Sequence, residues 1–190
     1  MKGFLIGLVA VVLIVVLAFG SYTGSKNTMV QKNEEVTAAF SEIDVNLQRR
    51  ADLIPNLVAT VKGYAKQELD VLTAISNARA GLLTARTPDE KLAANDRLSV
   101  ALLPLTRLQE TYPELKSNEQ FQRLEDELSG TENRIAVARR RYNDSIKDYN
   151  VYIQQFPHSI WAGMAGFTPK TGYYAADPGS KTAPKVDFGK

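Results

Sequence analysis

Gly3 to Gly20 (GFLIGLVAVVLIVVLAFG) contains no charged or polar side chain, and only Met1 and Lys2 precede it. As a helix this run is about 27 Å long, close to the ~30 Å hydrocarbon core of a bilayer. The rest of the chain is charged and has a helical pattern. The expected organisation is therefore a small domain held at a membrane surface by an anchor over residues 1–24. A cleaved signal peptide is the competing reading, since Ala18-Phe19-Gly20 offers small residues at a suitable spacing. The apolar run exceeds an ordinary signal h-region, which favours a retained anchor.

Sidedness is weakly marked. Lys2 and the terminal amine lie before the span, and Lys26 and Lys32 follow it, so the positive-inside count is nearly tied. A short basic N-terminus on a signal-like segment favours N-in, C-out. That orientation puts a single-pass protein in the inner membrane with its domain on the extracytoplasmic side.

About 170 residues follow the anchor, enough for one domain with its own core. Charge is near balance, with 23 Lys and Arg against 21 Asp and Glu. That balance gives no basis for a nucleic-acid partner or an acidic-substrate enzyme. The chain has no cysteine, which excludes disulfide frameworks, thiolate metal sites and thiol nucleophiles.

Residues 21–33 read as a polar connector, and helical patterning begins at Val36. Thr87-Pro88-Asp89-Glu90 is a capping box with proline at the first helical position, so a helix starts there. Tyr112-Pro113 stops it, because the residue before proline is pushed out of the α region. Ser117-Asn118-Glu119-Gln120 is a second capping box, opening a helix that runs to Phe156-Pro157. The bundle domain is assigned to residues 25–167. Pro169, Gly172, Pro178, Gly179 and Pro184 mark 168–190 as a flexible tail, dispensable for folding.

Two seams define the architecture. Positions 121, 128, 135, 142, 149 and 156 are Phe, Leu, Ile, Tyr, Tyr and Phe, while 124, 131, 138, 145 and 152 are Leu, Thr, Ala, Ser and Tyr. A sustained seven-residue repeat implies left-handed, coiled-coil-like packing. The first helix keeps the same 3-4 spacing from Phe40 through Ile43, Leu47, Arg50, Ile54, Leu57 and Val61 to Leu82. No strand alternation is convincing anywhere. The fold class is all-α: an elongated antiparallel up-and-down bundle after one N-terminal transmembrane helix. It has three long helices, or four if Pro55 breaks the first. Pro55 removes a hydrogen bond to the Ala51 carbonyl and Pro104 one to Val100, at ~3 kcal/mol each if truly interior. The seam passes through Pro55 unchanged, which favours one long kinked helix.

The segment IDVNLQRRADLIPNLVATVKGYAKQE (Ile43 to Glu68) resembles the signature of the LemA family of bacterial membrane-anchored proteins. The likeness continues in Glu110-Thr111-Tyr112-Pro113, Phe121, Leu124, Leu128, Glu132, Ile135, Ala138-Arg139, Tyr142-Asn143, Tyr149-Asn150, Phe156-Pro157 and Gly166-Phe167. It covers about residues 30–167. Two positions depart from it: Phe40 stands where members often carry tryptophan, and Gln67 where they often carry histidine. The resemblance implies a single-pass membrane protein with a long antiparallel bundle and no agreed biochemical activity.

No phosphate-cradling glycine loop, paired-histidine metal spacing or nucleophile elbow is present in the sequence. No catalytic, cofactor or metal residue is assigned, and the chain is read as a non-enzyme. The single histidine, His158, reads as a solvated or capping residue at a helix end. Arg139-Arg140-Arg141 flank the seam, where charges pair with neighbouring helices. Arg50 and Glu68 occupy seam positions, so each needs a partner or an exposed edge. Register-setting is favoured for both over a ligand pocket.

Helix lengths suggest where partners bind. Val36 to Leu83 is about 70 Å, Pro88 to Tyr112 about 37 Å and Asn118 to Phe156 about 58 Å. Running up, down and up from the membrane, they leave two seams without an intramolecular partner. One is proximal (Phe40, Ile43, Leu47, Arg50) and the other distal (Tyr142, Tyr149, Tyr152, Phe156), with Trp161 near the latter. Exposed apolar stripes of that size mark interaction surfaces. The function read from the sequence is a membrane-anchored scaffold that binds a protein partner or a second copy. The alternatives are a ligand- or lipid-binding module at the aromatic C-terminal end and a non-catalytic subunit of a membrane enzyme complex.

Overall fold

Lys2 to Tyr64 form one uninterrupted helix, α1, in a computed structural model that describes residues 2–173. The expected connector at 21–33 is thus helical. Its hydroxyls fold back on the helix instead of interrupting it: Thr23 donates to the Phe19 and Gly20 carbonyls, and Thr28 to that of Gly24. Its Ser25 and Met29, four apart on one face, are buried in the bundle. A helix with a buried face is held by packing, and local polarity does not stop it.

α1 also passes through Pro55. It ends instead at Ala65–Glu68, where no capping side chain marks a boundary. There the chain reverses into α2 (Leu69–Thr84), which packs back on α1 and buries Leu72, Ile75 and Leu82. The Thr87 capping box opens α3 (Pro88–Leu102) as expected: Glu90 N–H donates to Thr87 Oγ1, and Glu90 Oε2 accepts from the Thr87 and Arg86 N–H groups. Those two backbone donors hold the Glu90 carboxyl below its ordinary range. The expected helix from Pro88 to Tyr112 divides at Leu103. Pro104 begins α4 (Pro104–Thr111), and the Val100 carbonyl accepts from Leu103 N–H. A proline in the first turn forfeits no bond.

A short α5 (Pro113–Lys116) leads into α6 (Glu119–Gln154). Its cap is Asn118, whose Oδ1 accepts from Phe121 N–H at 2.8 Å. Ser117, the expected cap, donates to the Glu114 carbonyl. α7 (His158–Ala165) follows and ends in a left-handed Gly166, φ 77°. Phe167 N–H then returns to the Ala162 carbonyl at 3.0 Å, closing the turn that glycine permits.

The runs are up, down, up and down, with the last one returning to the membrane end. α1 and α6 form an antiparallel pair along their whole shared length. Asn118 Nδ2 donates to Tyr64 Oη, Arg50 pairs with Glu132, Arg141 with Glu42, and Phe40 meets Tyr142. Each step down α1 is matched by a step along α6, without a slip. The α2–α3 hairpin covers the middle of α1, where Lys91 of α3 pairs with Asp44. The α6 seam is buried at Phe121, Leu124, Leu128, Thr131, Ile135, Ala138 and Tyr142. Beyond Tyr142 the buried positions become Ile146, Tyr149, Asn150 and Ile153, because a straight helix drifts against a strict heptad. Phe156, expected on the seam, lies past the end of α6 and is 82% exposed.

Candidate functional site

Two regions gather polar or aromatic side chains. The first is mid-bundle, around Arg50. This residue is 4% exposed, and its Nη1 donates to Asn95 Oδ1 at 2.5 Å and Ser99 Oγ at 3.1 Å, besides the ion pair with Glu132. Arg139 closes the group by donating to Asp96 at 3.0 Å. Burial pulls Arg50 down from its ordinary value, and Arg139 adds to this while Glu132 and Asp96 oppose it. Arg50 Nε and Asn95 Nδ2 meet no partner among the described residues. Three helices meet through these contacts, which suits register-setting.

The second region lies at the membrane end. Tyr152 stacks on His158 with ring centres 4.2 Å apart, and Ser25 Oγ and His158 Nδ1 are hydrogen-bonded across 2.9 Å. Trp161 meets Tyr22 edge-on at 5.7 Å. His158 is therefore not a solvated end residue, since it ties α7 to α1 and α6. Thr168 to Tyr173, expected within the flexible tail, run back along α6. Tyr149 Oη donates to the Thr168 carbonyl at 3.1 Å. Asn150 donates to the Lys170 carbonyl and accepts from Lys170 N–H, both at 2.8 Å. Residues 174–190 lie outside the described residues.

The expected proximal interaction stripe is overturned. Ile43, Leu47 and Arg50 are buried, and Phe40 packs on Tyr142 at 5.7 Å. The cause is the fourth run: α6 descends over the surface that a three-run layout leaves bare. The expected distal stripe lies near the membrane for the same reason. Its Tyr142 and Tyr149 are core residues, Tyr152 is half-buried, and Trp161 packs against the bundle. Burial pushes the Tyr149 hydroxyl up, and burial with Asp89 nearby does so for Tyr142. Glu68 sits at the α1–α2 reversal and accepts from Tyr112 Oη at 3.3 Å. Of the arginine run, Arg139 and Arg141 pair with α3 and α1. The sequence reading passed over Tyr22, Ser25 and Met164. The signal for Tyr22 and Ser25 is their spacing with Met29 along one face, which extends the buried stripe toward the span.

No group of three or more metal-ligating side chains occurs among the described residues. The hollow between α2 and α3, lined by Thr84, Glu90 and Arg97, is an open surface groove.

The LemA family model matches residues 39–188. Magnetosome protein MamQ 2 of Paramagnetospirillum magneticum is 26% identical over 182 residues, covering 82% of this chain and 66% of its own length. Magnetosome protein MamQ of Magnetospirillum gryphiswaldense is 25% identical with the same coverage. Protein LemA of Metamycoplasma hominis is 27% identical over 140 residues, covering 71% of this chain and 62% of its own length. The chain thus spans just under two thirds of these relatives. With an apolar N-terminal helix leading into an all-α bundle, and a family match over most of that bundle, this membrane-associated chain belongs to the LemA family.

Proposed function

We propose that the chain is a single-pass scaffold of the bacterial inner membrane, with its bundle on the extracytoplasmic side and no catalytic step of its own. The observation that carries this reading is the continuity of α1. The apolar run and the bundle share one helix, with no hinge between them. Ser21 to Tyr64 spans about 66 Å at 1.5 Å per residue. Such a mast holds its far end at a set height and orientation above the bilayer, which is what positioning a partner requires. The partner, a second protein or a second copy, engages that far end, where Tyr64 and Leu69 are exposed.

The absence of cysteine makes single-site chemistry direct. Full-length variants with Tyr64→Cys or Leu69→Cys, carrying a photo-crosslinker, should give a discrete protein adduct in intact cells. Val137→Cys, half-way down α6, should not. A membrane-impermeant thiol reagent added outside the inner membrane should reach residue 69. Failure of both far-end sites to crosslink would remove the scaffold reading, and protection of residue 69 from the reagent would reverse the orientation.

A further inference from the structure

We propose that α7 is an interfacial helix: Ile160 and Met164 enter the same bilayer that Gly3–Gly20 crosses, at the edge where α1 leaves it. This placement rests on the reading of residues 3–20 as a membrane span, and it adds a second point of attachment to it.

The level of α7 is set by its contacts. Ser25 is bonded to His158 and Tyr22 touches Trp161, so α7 lies beside the first residues after the apolar run. Tyr22 is only about 3 Å along the helix axis from Gly20. Ala18 alone among residues 2–20 is partly buried, and it falls on the face carrying Tyr22, Ser25 and Met29. α7 thus reaches the top of the span itself.

Apart from Ser159, what α7 turns outward is apolar. Ile160 is 51% exposed and Met164 71%, with Phe156 just before the helix at 82%, while Ala162 on the other side is buried. Ile160 and Met164 are four apart on one helical face. In water this patch would be a liability. Beside the end of a span it extends a lipid-facing surface already present. The aromatics match that depth, since Tyr and Trp concentrate where one end of the ring is apolar and the other wet.

Charge points the same way. No Asp or Glu occurs from Gly3 to Asn33 or from Tyr149 to Tyr173, and Lys26, Lys32 and Lys170 lie in those stretches. A base without carboxylates and with several lysines fits an anionic leaflet. The segment is also braced: the Gly166 turn and the Asn150–Lys170 bonds bring the chain back up α6 and leave 156–167 as a tongue at the membrane face.

The test uses the full chain in vesicles of equal phosphatidylcholine and phosphatidylglycerol. Nitroxides are placed singly at Leu13→Cys, Val137→Cys, Ile160→Cys and Met164→Cys, and collisions with oxygen and a water-soluble nickel chelate are compared. The oxygen-to-nickel ratio at 160 and 164 should exceed that at 137 at least about threefold, and approach that at 13. Ratios at 160 and 164 equal to that at 137, with 13 still lipid-facing, overturn the placement of α7 alone. Shielding of 160 and 164 from both reagents means protein covers them and also overturns it. A water-exposed label at 13 removes the span, and this proposal with it. The unsubstituted protein supplies an independent readout, because Trp161 is its only tryptophan. Lipids brominated near the headgroup should abolish about half of its emission, and quenching by aqueous acrylamide in place of bromolipid would overturn the proposal.

Discussion

Arg79 Nε donates a 2.7 Å hydrogen bond to the Ala51 carbonyl, the acceptor that Pro55 leaves without its helical N–H. A proline in a helix interior normally strands one carbonyl. Here the stranded group becomes the point where α2 is fastened to α1. Hydrogen bonds from charged donors are worth about 1.5–3 kcal/mol, so the pair offsets a large part of the proline's cost.

Arg79→Ala should therefore destabilise the bundle by about 1.5–3 kcal/mol. In a Pro55→Ala background the loss should be smaller, because the backbone N–H restored at position 55 satisfies the same carbonyl. A double-mutant cycle by urea unfolding measures the coupling, and additive effects would separate the two residues.

Helix capping offers a second check. Asn118→Ala should cost about 1 kcal/mol, as should Thr87→Ala. Ser117→Ala should stay within about 0.5 kcal/mol, since its hydroxyl bonds only the Glu114 carbonyl in an exposed turn. Thermal melts of the three variants distinguish the real cap from its neighbour.

Ion pairs should differ sharply with burial. Removing Glu132 takes the anionic partner from the buried Arg50 and leaves it only Asn95 and Ser99, so Glu132→Ala should cost about 1.5–3 kcal/mol. Glu119 and Arg123, four apart and largely exposed, should couple by about 0.3–0.5 kcal/mol. Chemical denaturation at low and high salt tests both, and only the exposed pair should weaken strongly with salt.

Alkaline pH should loosen the bundle through its buried tyrosines. The folded state raises the Tyr142 and Tyr149 hydroxyls above the ordinary value of 10.0. The unfolded chain therefore loses these protons first, the folded state binds more of them, and stability falls as pH rises through that value. Tyr142→Phe should flatten the fall as pH rises through 10.0 and above, as followed by urea midpoints.

Much of the bundle was legible because local chemistry writes itself into spacing. The Thr87 box is satisfied within four residues. The seams from Ile43 to Val61 and from Phe121 to Tyr142 are buried as the repeat requires. What failed was punctuation without a local signal. α1 ends at Ala65–Glu68, where no proline or cap stands, and continues through 21–33, where polarity suggested a connector. Both outcomes depend on surfaces distant in sequence: α2 reversing onto α1, and α6 with α7 covering Ser25 and Met29. The misplaced reversal then carried the proximal stripe with it, turning Ile43 and Leu47 from a supposed docking surface into core.

The sequence by itself determined the all-α class, the heptad faces and the need of Arg50 and Glu68 for partners. Each follows from periodicity or from the cost of burying charge, and neither depends on which neighbour arrives. Tertiary structure alone decided who those neighbours are: Glu132 and Asn95 for Arg50, Tyr112 for Glu68, and Arg79 for the carbonyl freed by Pro55. It also decided that the last helix descends and sets Trp161 beside Tyr22. A seven-residue repeat specifies a face but carries no direction, so the sense of each run is fixed only when the helices pack.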